Sequence, residues 1–178
     1  MRVVAGSLGG RTFESPKSFL THPMGEKIRG ALFSMLGDIE GLSVFDPYSG
    51  SGALSIEAAS RGASEVMAID VDKDAIKVIL KNVKNLKLED TITVLQGNAP
   101  SWAGRNKDKL FDIVLLDPPY NEIRPDMLRK LAANTKPGGI VVLSLARIVK
   151  EELLKDGYER LTDKTYAGAT LVIYRKIS

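Results

Sequence analysis

Hydrophobic residues along the chain fall into two recurring patterns. Short apolar runs are typical of buried strands, whereas longer stretches with apolar positions three or four apart are typical of helices. From about residue 42 onward the two patterns alternate. Strands are predicted at 42–46, 65–70, 91–95, 111–116, 140–143, 157–163 and 169–175, and helices at 51–62, 73–86, 125–134 and 147–155. This alternation predicts an α/β protein whose strands are mostly parallel.

Both ends of the chain depart from this repeat. The last two predicted strands are joined by a short turn at 166–168, so we expect an antiparallel hairpin on the edge of a seven-stranded sheet. Near the N-terminus, two short segments flank Gly9 and Gly10 and predict a small hairpin, and a helix follows at 25–36. We therefore expect one compact unit, with residues 1–37 as an extension and 38–178 as the main domain.

Composition excludes several classes of chemistry. The 178 residues include no cysteine and one histidine, so disulfides, thiolate catalysis, Cys-ligated zinc and a Ser-His-Asp triad are not expected. His22 precedes Pro23 and is expected to be structural or on the surface. No apolar stretch approaches the ~20 residues of a membrane span, and the N-terminus does not resemble a signal peptide. We expect a cytoplasmic protein without a metal ion.

The formal charge of +3 lies entirely in the first 37 residues, since residues 38–178 carry 20 basic and 20 acidic side chains. The basic residues of the extension are Arg2, Arg11, Lys17, Lys27 and Arg29, and the acidic ones are Glu14 and Glu26. Such a segment is typical of an element that faces phosphates, and equally of a solvated basic segment.

Chemistry-bearing residues follow the predicted strands. In an open α/β sheet, ligands bind at the carboxyl ends of the strands. The first strand ends at Asp46, and a loop with Ser49, Gly50 and Gly52 follows. Glycines allow a close backbone approach to a ligand. A dinucleotide fingerprint requires a third glycine where Ser55 stands, and no Gly-Lys-Ser/Thr follows for a P-loop. The opening acid favours a cationic or zwitterionic ligand.

The second and third strands add two polar positions. Asp70 ends the second strand, where a ribose diol is held in this topology. Asn98 follows the third strand and offers a donor and an acceptor to an adenine edge. A helix-capping role for Asn98 is the other interpretation of that position.

The fourth strand is followed by Asp117, Pro118, Pro119 and Tyr120. The two prolines cannot donate to a strand ladder and therefore end the strand. The tetrapeptide presents a carboxylate, a backbone carbonyl and an aromatic face together. This combination suits a site that holds a planar base by its exocyclic amine.

Taken in order, these strand ends resemble the class I S-adenosylmethionine-dependent methyltransferases, a Rossmann-like fold. Residues 1–6, 10–11 and 29–36 and the glycine stretch 50–63 are similar to the RsmD family, whose members methylate guanine N2 in 16S ribosomal RNA. The resemblance covers essentially the whole chain. It implies methyl transfer from S-adenosylmethionine to 16S rRNA within the small subunit or its assembly intermediate, by a monomer.

The resemblance also implies residue roles. Asp117, Pro118, Pro119 and Tyr120 are the expected catalytic residues. The expected cofactor-binding residues are Asp46, Ser49, Gly50, Gly52, Asp70, Val71, Asn98 and Ala99. The expected RNA-binding residues are Arg2, Arg11, Lys17 and Arg29.

The chain departs from the family pattern at three places, 21–24, 47–49 and Asn98, where an acidic residue is common. Three other interpretations stay open. A DNA adenine-N6 or cytosine-N4 methyltransferase shares the tetrapeptide, although this chain lacks room for a separate target-recognition region. A protein glutamine methyltransferase favours Asn at the position of Asp117. A non-catalytic RNA-binding module for ribosome assembly is the third.

Overall fold

The computed structural model describes residues 1–16, 24–119, 123–146, 152–166 and 168–177. The helices in these ranges are α1 (Glu26–Leu36), α2 (Ala53–Ser60), α3 (Lys73–Leu86), α4 (Ala99–Arg105) and α5 (Pro125–Ala132). The strands are β1 (Ser43–Asp46), β2 (Glu65–Asp70), β3 (Ile92–Gln96), β4 (Phe111–Leu116), β5 (Thr135–Leu145), β6 (Tyr158–Tyr166) and β7 (Ala169–Lys176).

The strands form one sheet in the order β3-β2-β1-β4-β5-β7-β6. Strands β1 to β5 are parallel, and β7 runs antiparallel to both β5 and β6. The predicted fold class and its C-terminal edge hairpin are therefore confirmed. The order reverses direction between β1 and β4, whose carboxyl ends lie side by side. This reversal is the point at which open α/β sheets bind their ligands.

Side chains alternate between the two faces of the sheet, so each face has its own core. On one face, Val44 of β1 and Ile113 of β4 pack with Ile56 of α2 and Ile79 of α3. The other face packs against α4 and α5, and its members include Phe45, Phe111, Val114, Leu128 and Leu131. Both faces of the parallel strands are thereby covered, as their continuous apolar runs predict.

Residues 1–16 are attached to α2 and α3 by hydrogen bonds. Arg2 and Thr12 form an antiparallel bridge, as the predicted hairpin requires. The buried Glu57 of α2 accepts hydrogen bonds from the backbone N–H groups of Val4 and Ala5, at 2.8 and 3.0 Å. The Asn82 side chain of α3 pairs with the backbone N–H and carbonyl of Glu14.

Helix α4 and the start of β5 differ from the sequence prediction. Helix α4 was not predicted, and β5 begins at Thr135, five residues before the predicted strand. The register shifts between Phe111 and Ile113, because 136–139 bulge out of β5 before regular pairing resumes at Ile140.

A helix predicted at 147–155 is not present over residues 152–155, and residues 147–151 lie outside the described part of the chain. None of the helices in the described ranges has the length and hydropathy needed to cross a membrane.

Candidate active site

Asp46 ends β1 as a fully buried carboxyl, 0% exposed. The Ser55 hydroxyl of α2 donates a 2.6 Å hydrogen bond to its Oδ2. Its Oδ1 is buried and has no hydrogen-bond partner among the described residues. An unpaired buried carboxylate oxygen is costly, so this atom is available for a donor from a ligand.

The glycine loop after Asp46 turns sharply into α2. Gly50 and Gly52 have φ values of 48° and 76°, in the left-handed region that favours glycine. A Cβ on Gly52 would lie 3.0 Å from Cγ1 of Ile79 in α3. The Ser49 hydroxyl in this loop is buried and, like Oδ1 of Asp46, has no partner among the described residues.

Asp70 holds this loop to the end of β2. Its Oδ2 accepts a hydrogen bond from the Gly50 N–H at 2.7 Å, and its Oδ1 accepts one from the Asp72 N–H at 2.9 Å. Each oxygen retains a second acceptor position. The neighbouring Val71 is 65% exposed, which makes it an apolar surface beside the carboxylate.

Asn98 lies at the adjacent strand end and caps α4, because its side-chain oxygen accepts the Ser101 N–H at 2.8 Å. This is the capping role that the sequence left open. Asn98 is exposed, whereas Ala99 is buried. The Gly97 N–H donates to the Asp70 carbonyl at 2.8 Å, so the ends of β2 and β3 meet.

Asp117 follows β4 directly and is partly buried. Pro118 is buried and Pro119 is exposed, while Tyr120 lies outside the described residues. Burial raises the pKa of Asp117 to about 6, and the nearby Ser144 hydroxyl of β5 opposes that rise. The carboxyl group is therefore mostly ionised at neutral pH.

Three carboxyl groups lie at this edge of the sheet, and Asp46 is influenced by the charges of the other two. Burial raises the pKa of Asp46 to about 7; the Ser55 hydrogen bond opposes the rise, and the charges of Asp117 and Asp70 add to it. A cation or an N–H donor placed among these groups would be stabilised electrostatically. In the described part of the chain, no group of three or more His, Asp or Glu side chains could hold a metal ion.

The predicted RNA-binding residues have different environments. Arg11 is exposed, and the exposed Arg2 forms an ion pair of 2.9 Å with Glu26. Lys17 lies outside the described residues, as does His22.

The expectation that Arg29 contacts RNA is wrong for this structure. Arg29 is 0% exposed and bonds to Glu57 at 3.3 Å, to the Met24 carbonyl at 3.1 Å and to the Arg2 carbonyl. Its guanidinium therefore neutralises a buried carboxylate and stabilises the extension against α2.

Sequence reasoning missed three side chains that shape this region: Ser55, Glu57 and Ser144. Ser55 was considered only as a missing glycine. Its separation of nine residues from Asp46 spans a loop and one helical turn, and a local pattern does not encode such a contact. Ser144 lies on β5, a strand for which the sequence predicts no functional residue.

The family described as Conserved hypothetical protein 95 matches residues 1–175. YlbH of Bacillus subtilis, to which an rRNA methyltransferase activity is ascribed, is 30% identical over 99% of both chains. The Haemophilus influenzae protein named Ribosomal RNA small subunit methyltransferase D is 26% identical over 98% of this chain and 93% of its own length.

A solved structure supports the same fold. The Escherichia coli protein yhhF, described as a methyltransferase, superposes with a TM-score of 0.88 at 23% identity, covering 99% of this chain and 98% of that chain.

Proposed function

We propose that this chain transfers a methyl group from S-adenosylmethionine to RNA of the small ribosomal subunit. The premise is that it belongs to the RsmD-type methyltransferase family described as Conserved hypothetical protein 95. The observation that carries the proposal is the pair of carboxyl groups at the ends of β1 and β4, of which Asp46 is fully buried and has an unpaired oxygen. This pair offers one position for a cationic cofactor and one for an amine substrate.

The residues present fit S-adenosylmethionine. Its ammonium group would satisfy the unpaired Oδ1 of Asp46, and the loop around Ser49, Gly50 and Gly52 would enclose the methionyl part. Asp70 would accept the ribose hydroxyls through the remaining acceptor positions of its oxygens. Val71 would pack on the adenine, and Asn98 with the Ala99 backbone would border its edge.

When bound, S-adenosylmethionine supplies an electrophilic methyl group on a cationic sulfur. The chain's own contribution is to position the nucleophile. An exocyclic amine is a poor nucleophile because its lone pair is delocalised into the ring. The Asp117 carboxylate and the Pro118 carbonyl would accept its two N–H groups and direct the lone pair toward the methyl group, and the methylated amine would then release one of these two protons to solvent. Tyr120 would stack on the base.

The guanine N2 amine of 16S rRNA is the substrate that we propose. The target base must be unpaired or flipped out to reach Asp117. Residues 1–37 form the RNA-facing extension of the compact unit in this proposal, and Arg2, Arg11 and Lys17 contact phosphates. The protein acts as a monomer in the cytoplasm, on the small subunit or its assembly intermediate.

Transfer of label from methyl-labelled S-adenosylmethionine tests the proposal. Purified protein is incubated with naked rRNA, small subunits, duplex DNA and protein, and the Asp117→Asn variant serves as the matched control. We expect label in the small-subunit RNA, with mass mapping that places it on guanine N2. Labelled DNA or protein, or no product that depends on Asp117, would contradict the proposal.

A further inference from the structure

Ser144 is a polar residue in an apolar strand, and it lies next to the proposed amine-binding carboxyl. It is 1% exposed, and its neighbours Leu143 and Leu145 are buried apolar residues. Its Oγ makes no hydrogen bond of normal length with any described residue. A buried hydroxyl without a partner costs free energy, so its presence here calls for a specific role.

The sheet register places this hydroxyl beside Asp117. Leu115 pairs with Val142, and Leu116 pairs with Leu143, in the parallel ladder of β4 and β5. The next residues along the two chains, Asp117 and Ser144, are therefore neighbours at the carboxyl edge. Asp117 lies two residues after Leu115, and Ser144 lies two residues after Val142. Because side chains two residues apart on a strand lie on the same face, and Leu115 and Val142 belong to one core, Asp117 and Ser144 project to the same face of the sheet.

We propose that Ser144 is a positioning residue, whose hydroxyl donates a hydrogen bond to the Asp117 carboxylate when the target amine is held for methyl transfer. The inference rests on the proposed function and adds a residue to the same site. The hydroxyl fixes one carboxylate oxygen, so that the other accepts the amine N–H. It also stabilises the ionised carboxylate, which is the form that accepts.

The charged neighbours of Asp117 strengthen the need for such a donor. Asp46 at the end of β1 is the charged neighbour of Asp117, and the charges of Asp117 and Asp70 both raise the pKa of Asp46. Burial raises the pKa of Asp117 to about 6, and Ser144 opposes that rise. Without the hydroxyl, more of the carboxyl would be protonated at neutral pH and unable to accept an N–H bond.

The test compares Ser144→Ala with Thr135→Val. Thr135 begins the same strand at the opposite edge of the sheet, is 0% exposed, and also has a buried hydroxyl without a partner among the described residues. Single-turnover methyl transfer to small-subunit RNA is measured from pH 5 to 9. Saturating S-adenosylmethionine excludes effects of Asp46 on cofactor binding.

In wild type, the rate should fall to half near the pKa of Asp117, about 6. In Ser144→Ala we expect this midpoint to rise by about half a unit to one unit, with a rate about two- to fivefold lower at pH 6 and within about twofold of wild type at pH 8.5. Thr135→Val should follow the wild-type profile. Ser144→Thr, which retains the hydroxyl, should restore the midpoint. An unshifted midpoint in Ser144→Ala would overturn the proposal.

A second measurement does not depend on activity. Carbon-13 NMR of labelled aspartate carboxyl groups follows the titration of Asp117, whose signal is assigned by its loss in Asp117→Asn. The pKa of Asp117 should rise in Ser144→Ala and not in Thr135→Val, and equal values would overturn the contact. If wild-type protein methylates no RNA while the pKa of Asp117 still rises in Ser144→Ala, the proposed function is refuted and the contact is supported.

Discussion

Ser55 donates a 2.6 Å hydrogen bond to Oδ2 of Asp46 and leaves Oδ1 of the same carboxyl buried and unpaired. The two residues lie at opposite ends of the glycine loop, so this one bond closes the loop. It also fixes the orientation of the carboxyl group, so that its bare oxygen is the one available to a ligand. The loop therefore holds the Asp46 carboxyl, whose burial costs free energy, in a defined position.

Asp46→Asn should stabilise the protein without cofactor at neutral pH. The folded pKa of Asp46 is raised from 3.8 to about 7. The carboxyl therefore favours the folded state most below pH 4, and that contribution is lost as pH rises to about 7. The variant's advantage in free energy of unfolding should grow across this window by up to ~1.4 kcal/mol per pH unit. Urea denaturation at several pH values measures it.

Asp112→Asn is the control, because it should change the free energy of unfolding at neutral pH in the direction opposite to Asp46→Asn. Burial would raise the pKa of Asp112, but hydrogen bonds from Ser43 and the ion pair with Lys136 outweigh it and lower the pKa to about 2. This carboxylate stabilises the fold above pH 4, and the contribution is lost as pH falls through about 2. Its removal should cost about 1 kcal/mol at neutral pH after solvent screening. Equal pH trends for the two variants would contradict this assignment of the charges.

Asp117→Ala should abolish methyl transfer while S-adenosylmethionine binding persists. Asp117 is assigned to the amine, whereas the cofactor contacts are assigned to the ends of β1, β2 and β3. Calorimetry should give a cofactor affinity within about threefold of wild type, since removal of one negative charge near Asp46 has a modest effect. Single-turnover assays should show no product. Retained turnover would remove Asp117 from the mechanism.

Gly6→Ala should detach the extension from α2. Gly6 has φ +83°, and a Cβ there would lie 1.9 Å from the Ser60 carbonyl oxygen. Gly10→Ala is a matched control, because Gly10 has φ +85° and no atom within 4 Å of the added Cβ. Both changes carry the backbone strain of about 1 kcal/mol, and only the first adds a backbone clash. We expect RNA affinity to fall at least about tenfold more in Gly6→Ala.

Equal losses in the two glycine variants would show that backbone strain alone is responsible. Cofactor affinity should stay unchanged in both, because the glycine loop lies at the other end of α2. Filter binding with small-subunit RNA and calorimetry with S-adenosylmethionine give the two readouts.

Arg11→Gln should weaken RNA binding and reduce its salt dependence. Arg11 is exposed on the extension. Loss of one phosphate contact should lower the slope of log affinity against log salt by about 0.7 to 0.9. Lys107→Gln is the control, since Lys107 is an exposed cation in the turn before β4 and lies outside the extension. A slope that changes equally in both variants would indicate a nonspecific effect of charge.

The architecture could be predicted because the parallel strands are continuous apolar runs between helical periodicities. Helix α4 was missed because it has only seven residues and Gly104 lowers helix propensity within them. Its stability comes from tertiary contacts instead. The Trp102 ring lies 5.2 Å from that of Phe45 and 6.4 Å from that of Phe111, a contact that local periodicity does not reveal.

The strand-end carboxyls could be located from the sequence, but their environments could not. Burial of Arg29 depends on Glu57, 28 residues later, and its charge alone indicated an exposed position. Ser144 next to Asp117 is likewise a matter of register between β4 and β5. Neighbours across a sheet are set by pairing of whole strands, so their effect on a pKa is visible only in three dimensions.

Glu57 binds the extension through the main-chain N–H groups of Val4 and Ala5 rather than through their side chains. A carboxylate that accepts from peptide groups places no demand on which residue carries them. The Val4 side chain is 38% exposed. The outer surface of the extension can therefore be exchanged residue by residue while its anchor stays constant. We expect exposed positions of the extension, such as Arg2 and Arg11, to accept substitutions without loss of the anchor, whereas the buried Val3 and the crowded Gly6 should not.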